Sequence, residues 1–359
     1  MAHCFADGNV WETCLAGFEM SRMLGMGWAP HMVPVELVLN GSYEGVYFIQ
    51  ETIKIDANRL DMFEQEDGET DPSIIPYGWL IEIDNNGDEY QYAFEETPGG
   101  GKILFTYKAP EELSQEQKDW LYPELRDLND RVHSSSIDDP RWAEKLDVNT
   151  LAMYSIVREV LNDFDGYSGS FYMHKDKTPD AKWTFGPMWD CSMYWMPKDN
   201  YLPFSKYAVE GHRFKWMPRI MQYTLFGDTF RRIWKEFYTP ENMDKLATYL
   251  FDFSKDLGPA FEANNERWKG ELKSTQLYHA PTDKYAYVMQ MISKNAEWID
   301  SHQNIEDIAR AAAGIDEIVI DPDAPEEYFT IDGMRLSSRP AVPGIYIMRK
   351  GAKTVKAIL

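Results

Sequence analysis

Two short stretches of the sequence carry carboxylates at a spacing that could support catalysis or metal binding. The first, NDFDGYSGS, follows a predicted helix and contains Asp163 and Asp165. The second, KWTFGPMWDCS, places Asp190 at the end of a predicted strand among aromatic and aliphatic residues. A carboxylate in so apolar a run is costly to bury unless it has a partner. Because a hairpin-like excursion joins the two stretches, we expect their carboxylates to face one cleft.

Three chemistries use two carboxylates placed in this way. One carboxylate can act as a general base while the other holds Mg²⁺ during phosphoryl transfer. The pair can be the acid and the nucleophile of a glycosidase, which requires a carboxyl separation of about 5 to 9.5 Å. The pair can also bind a structural cation. The purely structural alternative makes Asp163 and Asp165 loop formers and Asp190 a helix N-cap or turn residue.

A second group of charged residues lies in the first third of the chain. Glu51 and Lys54 occur in FIQETIKIDANRL, and Lys108 occurs in LFTYKAP. A lysine that reaches a phosphate and a glutamate that pairs with it would suit nucleotide binding. Exposed charges at strand ends are the alternative. The sequence contains neither G-x-x-x-x-G-K-[ST] nor a G-x-G-x-x-G after a strand, and its histidines lack the spacing of a zinc helix.

Composition restricts the class of protein further. The chain has 359 residues, enough for a sizeable core, with 59 acidic and 36 basic residues and a net charge of -23. That charge argues against binding to a phosphate backbone or to an anionic membrane surface. The three cysteines form no C-x-x-C pair, and no stretch approaches the roughly 18 apolar residues of a membrane span. No signal peptide is visible at the start.

The hydrophobic patterns predict an α+β fold with a β-rich first lobe and a helical second lobe. Two β-rich runs flank Asn40-Gly41, a strong hairpin signal, and a Ser114-x-x-Gln117 capping box opens a helix that reaches about Val132. The other predicted elements are strands at 78–84, 102–108, FYMH and WTFGP, a helix at Val148 to Leu161, and helices from 213 to 302 broken at Pro240, Gly258 and Pro281.

The end of the chain differs in composition. Residues 306–326 are rich in Ala, Asp and Pro and predict a linker between a main domain, 1–305, and a small module, 327–359. The module is predicted to contain three short strands with turns at Asp332-Gly333 and Lys350-Gly351. It is too short to bury a core of its own.

Several motifs in a fixed order resemble the spore-coat CotH kinase family over roughly residues 10 to 300. The segments that carry the resemblance are VPVELVLNGSYEGVYFIQETIKIDANRL, GWLIEIDN, LFTYKAPEELSQEQKDWL, REVLNDFDGYSGSFYMHKD, KWTFGPMWDCS and RFKWMPRIMQYTLFGDTFRRIWKEFY. The resemblance implies an atypical protein-kinase-like, two-lobed fold. It also implies that the chain binds ATP with Mg²⁺ or Mn²⁺ and phosphorylates Ser or Thr of a protein substrate.

Carried over by position, the resemblance makes Asp165 the catalytic aspartate and Asp190 the metal-binding aspartate. Lys54 with Glu51, or else Lys108, would help to bind the phosphates. Ser170 stands where the family often has an asparagine after the catalytic loop, which implies a weaker oxygen ligand near the nucleotide.

Two further departures from the family pattern favour a second hypothesis, a catalytically degenerate surface protein that binds a partner. Ser192 replaces a family aspartate, and the family's upstream β-structure would precede what is here Met1. The tail, YFTIDGMRLSSRPAVPGIYIMRKGAKTVKAIL, resembles C-terminal β-modules of secreted Bacteroidetes proteins. With the family's usual export, it implies a secreted or surface-bound protein. A glycosidase is the third hypothesis.

Overall fold

The structure is a computed structural model that describes residues 11–84, 92–94, 103–134, 136, 138–163, 165–167, 169–178, 180–191, 216–269, 281–312, 326–330, 334–340, 345–350 and 353–358. Its helices are α1 (Trp11–Leu24), α2 (Gln115–Val132), α3 (Val148–Leu161), α4 (Met217–Ile220), α5 (Thr224–Phe237), α6 (Pro240–Asp256), α7 (Gly258–Trp268), α8 (Pro281–Ser301) and α9 (Ile305–Ala312). Its strands are β1 (Met32–Leu39), β2 (Ser42–Gln50), β3 (Trp79–Ile83), β4 (Tyr92–Phe94), β5 (Ile103–Ala109), β6 (Phe171–Lys175), β7 (Thr184–Phe185), β8 (Glu326–Phe329), β9 (Arg335–Leu336), β10 (Ile345–Lys350) and β11 (Lys353–Ile358). Short 3₁₀ turns cover Pro140–Glu144 and Asp165–Tyr167.

The sheet that positions the candidate site has five antiparallel strands in the order β4-β5-β3-β6-β7. Its central strand β3 is buried along its whole length. Alternate residues of β3 face opposite sides, and Trp79, Ile81 and Ile83 join the main hydrophobic core. Because β6 and β7 follow α2 and α3 in the chain, the sheet brings together segments that are distant in sequence. The mixed α+β architecture is confirmed, whereas the two-lobed kinase-like arrangement stays a prediction.

The hairpin predicted at Asn40-Gly41 is confirmed. β1 and β2 pair antiparallel, with Leu39 opposite Ser42 at the turn. Asn40 and Gly41 have φ values of 52° and 82°, the left-handed conformations that a two-residue hairpin turn requires.

Gly45 explains how the hairpin attaches to α7. Its φ is 103°, and a Cβ at this position would lie 2.5 Å from Asn264 Oδ1 and 2.7 Å from Trp268 Nε1. Beside it, Arg267 of α7 binds Glu44 at 2.7 Å. The glycine therefore permits a close approach between strand and helix that a larger residue would prevent.

The helix boundaries follow from local capping. The Ser114–Gln117 capping box is present at the start of α2, and the Asp147 side chain accepts from the backbone N–H groups of Asn149 and Thr150 to cap α3. Pro240, Gly258 and Pro281, predicted as helix breaks, each begin a new helix. Proline suits this place because its missing N–H would have no intrahelical partner there.

The chain divides into two compact units, Met1–Ala313 and Gly314–Leu359. The second unit has a four-stranded sheet in the order β11-β10-β8-β9, one strand more than predicted. The additional strand β9 is two residues long, too short to give a period-2 pattern. The predicted turn residues Asp332, Gly333 and Gly351 lie outside the described residues. Across the described ranges, no helix combines the length and apolar character that a bilayer crossing needs.

Candidate functional site

The first carboxylate stretch begins with a buried ion pair at the end of α3. Asn162 ends the helix in the left-handed conformation, φ 55°, and the Asp163 N–H donates to the Arg158 carbonyl at 2.8 Å. The Asp163 carboxylate pairs with the Arg158 guanidinium, and both side chains are fully buried. Burial raises the pKa of the Asp163 carboxyl, while the positive charge of Arg158 opposes that shift. The carboxylate that needs a buried partner is therefore Asp163.

The turn that carries Asp165 is held by side chains of α3. Tyr154 Oη donates to the Gly166 carbonyl at 2.6 Å, and Tyr167 Oη donates to Glu159 Oε1 at 3.0 Å. The Gly166 N–H lies 3.3 Å from Asp163 Oδ1. These contacts fix the backbone on both sides of Asp165. The side chain of Asp165 itself lies outside the described part of the chain.

Asp190 is exposed, contrary to what its apolar neighbours imply. Its backbone has a φ of 46°, a left-handed conformation that aspartate tolerates better than most residues. The main chain of this loop is bound from the interior: Arg158 donates to the Asp190 carbonyl at 3.0 Å and to the Trp189 carbonyl at 2.7 Å. Cys191 then returns the chain to the core. The loop thus anchors its backbone inside the protein and presents the carboxylate outside.

One face of the five-stranded sheet carries a lysine–glutamate pair. Lys108 Nζ of β5 lies 2.7 Å from Glu82 Oε2 of β3, and the Glu82 side chain is only 6% exposed. Burial raises the pKa of Glu82, opposed by Lys108 and by a hydrogen bond from Tyr172 of β6. Burial and the carboxylates of Glu82, Asp84 and Asp190 raise the pKa of Tyr172.

A small apolar cluster joins the same face of the sheet to the Asp190 loop. Its buried members are Ile55, Leu60, Leu80, Ala109 and Tyr172, with Ile53, Met62 and Trp189 packed against them. The segment 53–62, which includes Lys54, therefore lies over the face that holds Lys108 and Glu82. Trp189 brings the Asp190 loop to the same place.

The remaining predicted site residues are distributed as follows. Glu51 accepts hydrogen bonds from the His31 backbone N–H at 2.9 Å and contacts His31 Nδ1 at 2.8 Å, so its described partner is His31 rather than Lys54. Lys54 is exposed, and Ser170 is half-buried with a φ of 51° directly before β6. Ser192 lies outside the described residues.

Sequence reasoning missed Glu82, Arg158 and Tyr172. The available signal for Arg158 was its position beside Glu159 between apolar residues of α3, because two successive charges in such a helix require internal partners. Glu82 lies between two isoleucines of β3 and carries a similar signal, but its partners, like those of Tyr172, depend on strand register.

The carboxylate of Asp190 is of the chemical type that a hard divalent cation binds. Mg²⁺ is commonly bound by one or two carboxylates, with phosphate and water oxygens completing its shell. Asp190 offers one such carboxylate, on an exposed residue whose backbone Arg158 holds. Within the described ranges, no group of three or more His, Cys, Asp and Glu side chains is arranged to hold a metal ion by itself.

The titration of Glu159 makes the stability of the protein depend on pH. Burial raises its pKa from 4.5 to about 8, so the folded protein keeps this proton at a pH where the unfolded chain has lost it. The free energy of unfolding therefore falls as the pH rises between these values, by at most about 1.4 kcal/mol per pH unit from this group. Glu159→Gln retains an acceptor for Tyr167 and removes the titration. We expect the difference in the free energy of unfolding between Glu159→Gln and wild type, measured by urea unfolding, to grow between pH 5 and 7.5. The exposed Glu266→Gln is the control. If the free energies of unfolding of Glu159→Gln and wild type change with pH in parallel, the prediction is wrong.

The fold and the site define an α+β protein in which two carboxylate-bearing loops share one buried arginine beside a lysine–glutamate pair. A sequence model of the family described as CotH kinase protein matches residues 17–310. Because this match spans most of the chain, the chain belongs to the CotH kinase family, as the ordered motifs predict. No curated protein matches the chain.

Proposed function

We propose that this chain is a metal-dependent protein kinase that transfers the γ-phosphoryl group of ATP to a Ser or Thr hydroxyl. In this proposal Asp165 is the general base, Asp190 binds Mg²⁺ or Mn²⁺, and Lys108 binds the phosphates. Membership of a kinase family supports the reaction class. The observation that carries the assignment of residues is that Arg158 holds the loop of Asp165 and the loop of Asp190 at once.

The choice of Lys108 over Lys54 rests on its environment. Lys108 is held by Glu82, which fixes the ammonium group before any ligand arrives. A phosphate-binding group that is already positioned loses less conformational freedom on binding than a mobile exposed lysine. Lys54 is exposed and has Asp56 as an electrostatic neighbour.

The proposed reaction needs few covalent contributions from the protein. Asp165 accepts the proton as the substrate hydroxyl oxygen forms a bond to the γ-phosphorus. The bond from that phosphorus to the β–γ bridging oxygen breaks, and ADP leaves. Asp190 would hold the divalent ion, which would supply neutralisation of the phosphate charge. Lys108 orients the phosphates through charge-assisted hydrogen bonds, and positioning contributes most of the rate.

A thermal-unfolding titration with ATP, with and without Mg²⁺ or Mn²⁺, tests the nucleotide site. A ligand at 100 times its Kd stabilises the folded state by about 2.7 kcal/mol, so a metal-dependent rise in Tm is expected. Lys108→Met should lose this rise and Lys54→Met should keep it. Lys108→Met alone leaves the Glu82 carboxylate without its cation. The double variant Lys108→Met/Glu82→Gln removes that unpaired charge as well, and it should also show no rise in Tm. If both Lys108 variants still show the rise in Tm, another residue binds the phosphates. If wild type shows no rise, the result favours the degenerate binding protein.

The proposal extends to location. The resemblance of the tail to C-terminal β-modules of secreted Bacteroidetes proteins supports export to the cell surface. Fractionation of cells that express the natural gene, followed by detection of the protein in the medium or at the surface, tests this. Detection confined to the cytoplasm would contradict it.

A further inference from the structure

Arg158 contacts two loops that come from different parts of the chain. Its Nη1 pairs with Asp163, two residues before Asp165, and also donates to the Asp190 carbonyl at 3.0 Å. Its Nη2 donates to the Trp189 carbonyl at 2.7 Å. The side chains of Arg158 and Asp163 are fully buried, so their ion pair forms without competition from water. The bonds from Arg158 to the two carbonyls are partly buried.

The surroundings of the guanidinium leave it little freedom. Its Cζ lies 4.8 Å from the centre of the Tyr154 ring, and Tyr154 in turn binds the Gly166 carbonyl. A Cβ at position 166 would collide with Arg158 Nε, Cζ and Cδ. The backbone of the Asp165 turn therefore lies directly against the arginine.

A planar guanidinium presents its donors in a fixed fork, whereas a lysine ammonium is a single point charge. Arg158 can therefore bind a carboxylate on one loop and two carbonyls on the other in one rigid arrangement. A lysine retains the charge for Asp163 but does not present the same fork.

We propose that Arg158 is a positioning residue that fixes the Asp165 loop and the Asp190 loop relative to each other. The inference rests on the proposed function, because it assigns the spacing of the base and the metal ligand to a residue that touches neither substrate nor nucleotide. Through this residue, a change at the end of α3 reaches both carboxylates together.

Hydrogen exchange of the full chain tests the coupling without any ligand. In Arg158→Lys, we expect amides in 162–167 and in 186–191 to exchange at least about tenfold faster, while amides of β3 remain protected. If only one loop changes, or neither does, the proposal is overturned. If Arg158→Lys does not fold, Gly166→Ala serves instead, because its added Cβ displaces the guanidinium without removing it.

Steady-state kinetics distinguish positioning from a general structural role. We expect Arg158→Lys to lower kcat by about 10- to 100-fold and to raise the half-saturating concentration of Mn²⁺, with little change in the KM for ATP. Arg231→Lys is the matched control, since Arg231 also joins a carboxylate, Glu306, to a backbone carbonyl, that of Gln303, outside the site. That control should keep the wild-type kcat and Mn²⁺ dependence. Wild-type values in folded Arg158→Lys would overturn the proposal.

The two experiments also separate this inference from the proposed function. If wild type shows neither ATP binding nor turnover, the kinase proposal fails, and the exchange data still decide whether Arg158 couples the two loops. If wild type is active and Arg158→Lys differs only in melting temperature, the kinase proposal stands and the positioning role is wrong.

Discussion

Replacing Asp190 by alanine is expected to abolish metal-dependent phosphoryl transfer while leaving the protein folded. The carboxylate is exposed, and the Arg158 bonds that anchor this loop go to carbonyl oxygens, which alanine retains. We expect kcat to fall by at least about 10³-fold, because stabilisation of charge supplies much of the rate in such reactions. ADP release measures turnover and circular dichroism measures folding, both on the same sample.

Two controls separate charge from backbone conformation in this experiment. Asp190 has a φ of 46°, and alanine costs roughly 1–2 kcal/mol in that left-handed conformation. Asp190→Asn keeps the side-chain shape and tolerates the conformation, so it should lose turnover with unchanged stability. Asp180 is also exposed with a positive φ, 59°, and Asp180→Ala should lose stability without losing turnover. Turnover at the wild-type rate in Asp190→Asn would remove Asp190 from the metal site.

The parts of the fold that sequence predicted well are those set by local chemistry. Asn40 and Gly41 specify a hairpin because few other residues adopt two successive left-handed conformations. The Ser114 capping box specifies the start of α2 because its hydrogen bonds close within one turn. Neither requires knowledge of the rest of the chain.

The candidate site depends on contacts that local chemistry does not encode. Lys108 finds Glu82 through the register of β3 and β5, which includes an irregularity between Leu80 and Ile81. The apolar neighbours of Asp190 predict a buried residue, but Asp190 itself is exposed and has a left-handed backbone. A sequence pattern reports the average burial of a segment and cannot report such a reversal at one residue.

Arg158 has one contact that the sequence could predict and two that it could not. Its contact with Asp163 spans five residues and is local, so a buried pair at the end of α3 was within reach of sequence reasoning. Its contacts with the carbonyls of Trp189 and Asp190 span more than thirty residues and leave no side-chain signature, because any residue offers a carbonyl. The link between the two loops therefore becomes visible only in the folded structure.

The second large effect is expected from Asp163→Ala, which leaves the Arg158 guanidinium buried without its carboxylate. Removing one partner of a fully buried ion pair costs about 3–5 kcal/mol, because the remaining charge stays desolvated. The midpoint of urea unfolding, followed by tryptophan fluorescence, should fall accordingly. Glu266→Ala is the matched control: its partner Lys269 is 69% exposed, and such a pair contributes about 0–1 kcal/mol.

A double variant shows how much of that loss comes from the unpaired charge. Arg158→Met in the Asp163→Ala background leaves no buried charge at this position, so part of the lost stability should return. The carbonyls of Trp189 and Asp190 would still lack the donors that hold them, so turnover should remain low even where stability recovers. Recovery of both properties together would mean that the ion pair serves stability alone, whereas recovery of stability without turnover would tie the same pair to the geometry of the site. An Asp163→Ala protein as stable as wild type would contradict the buried pair itself.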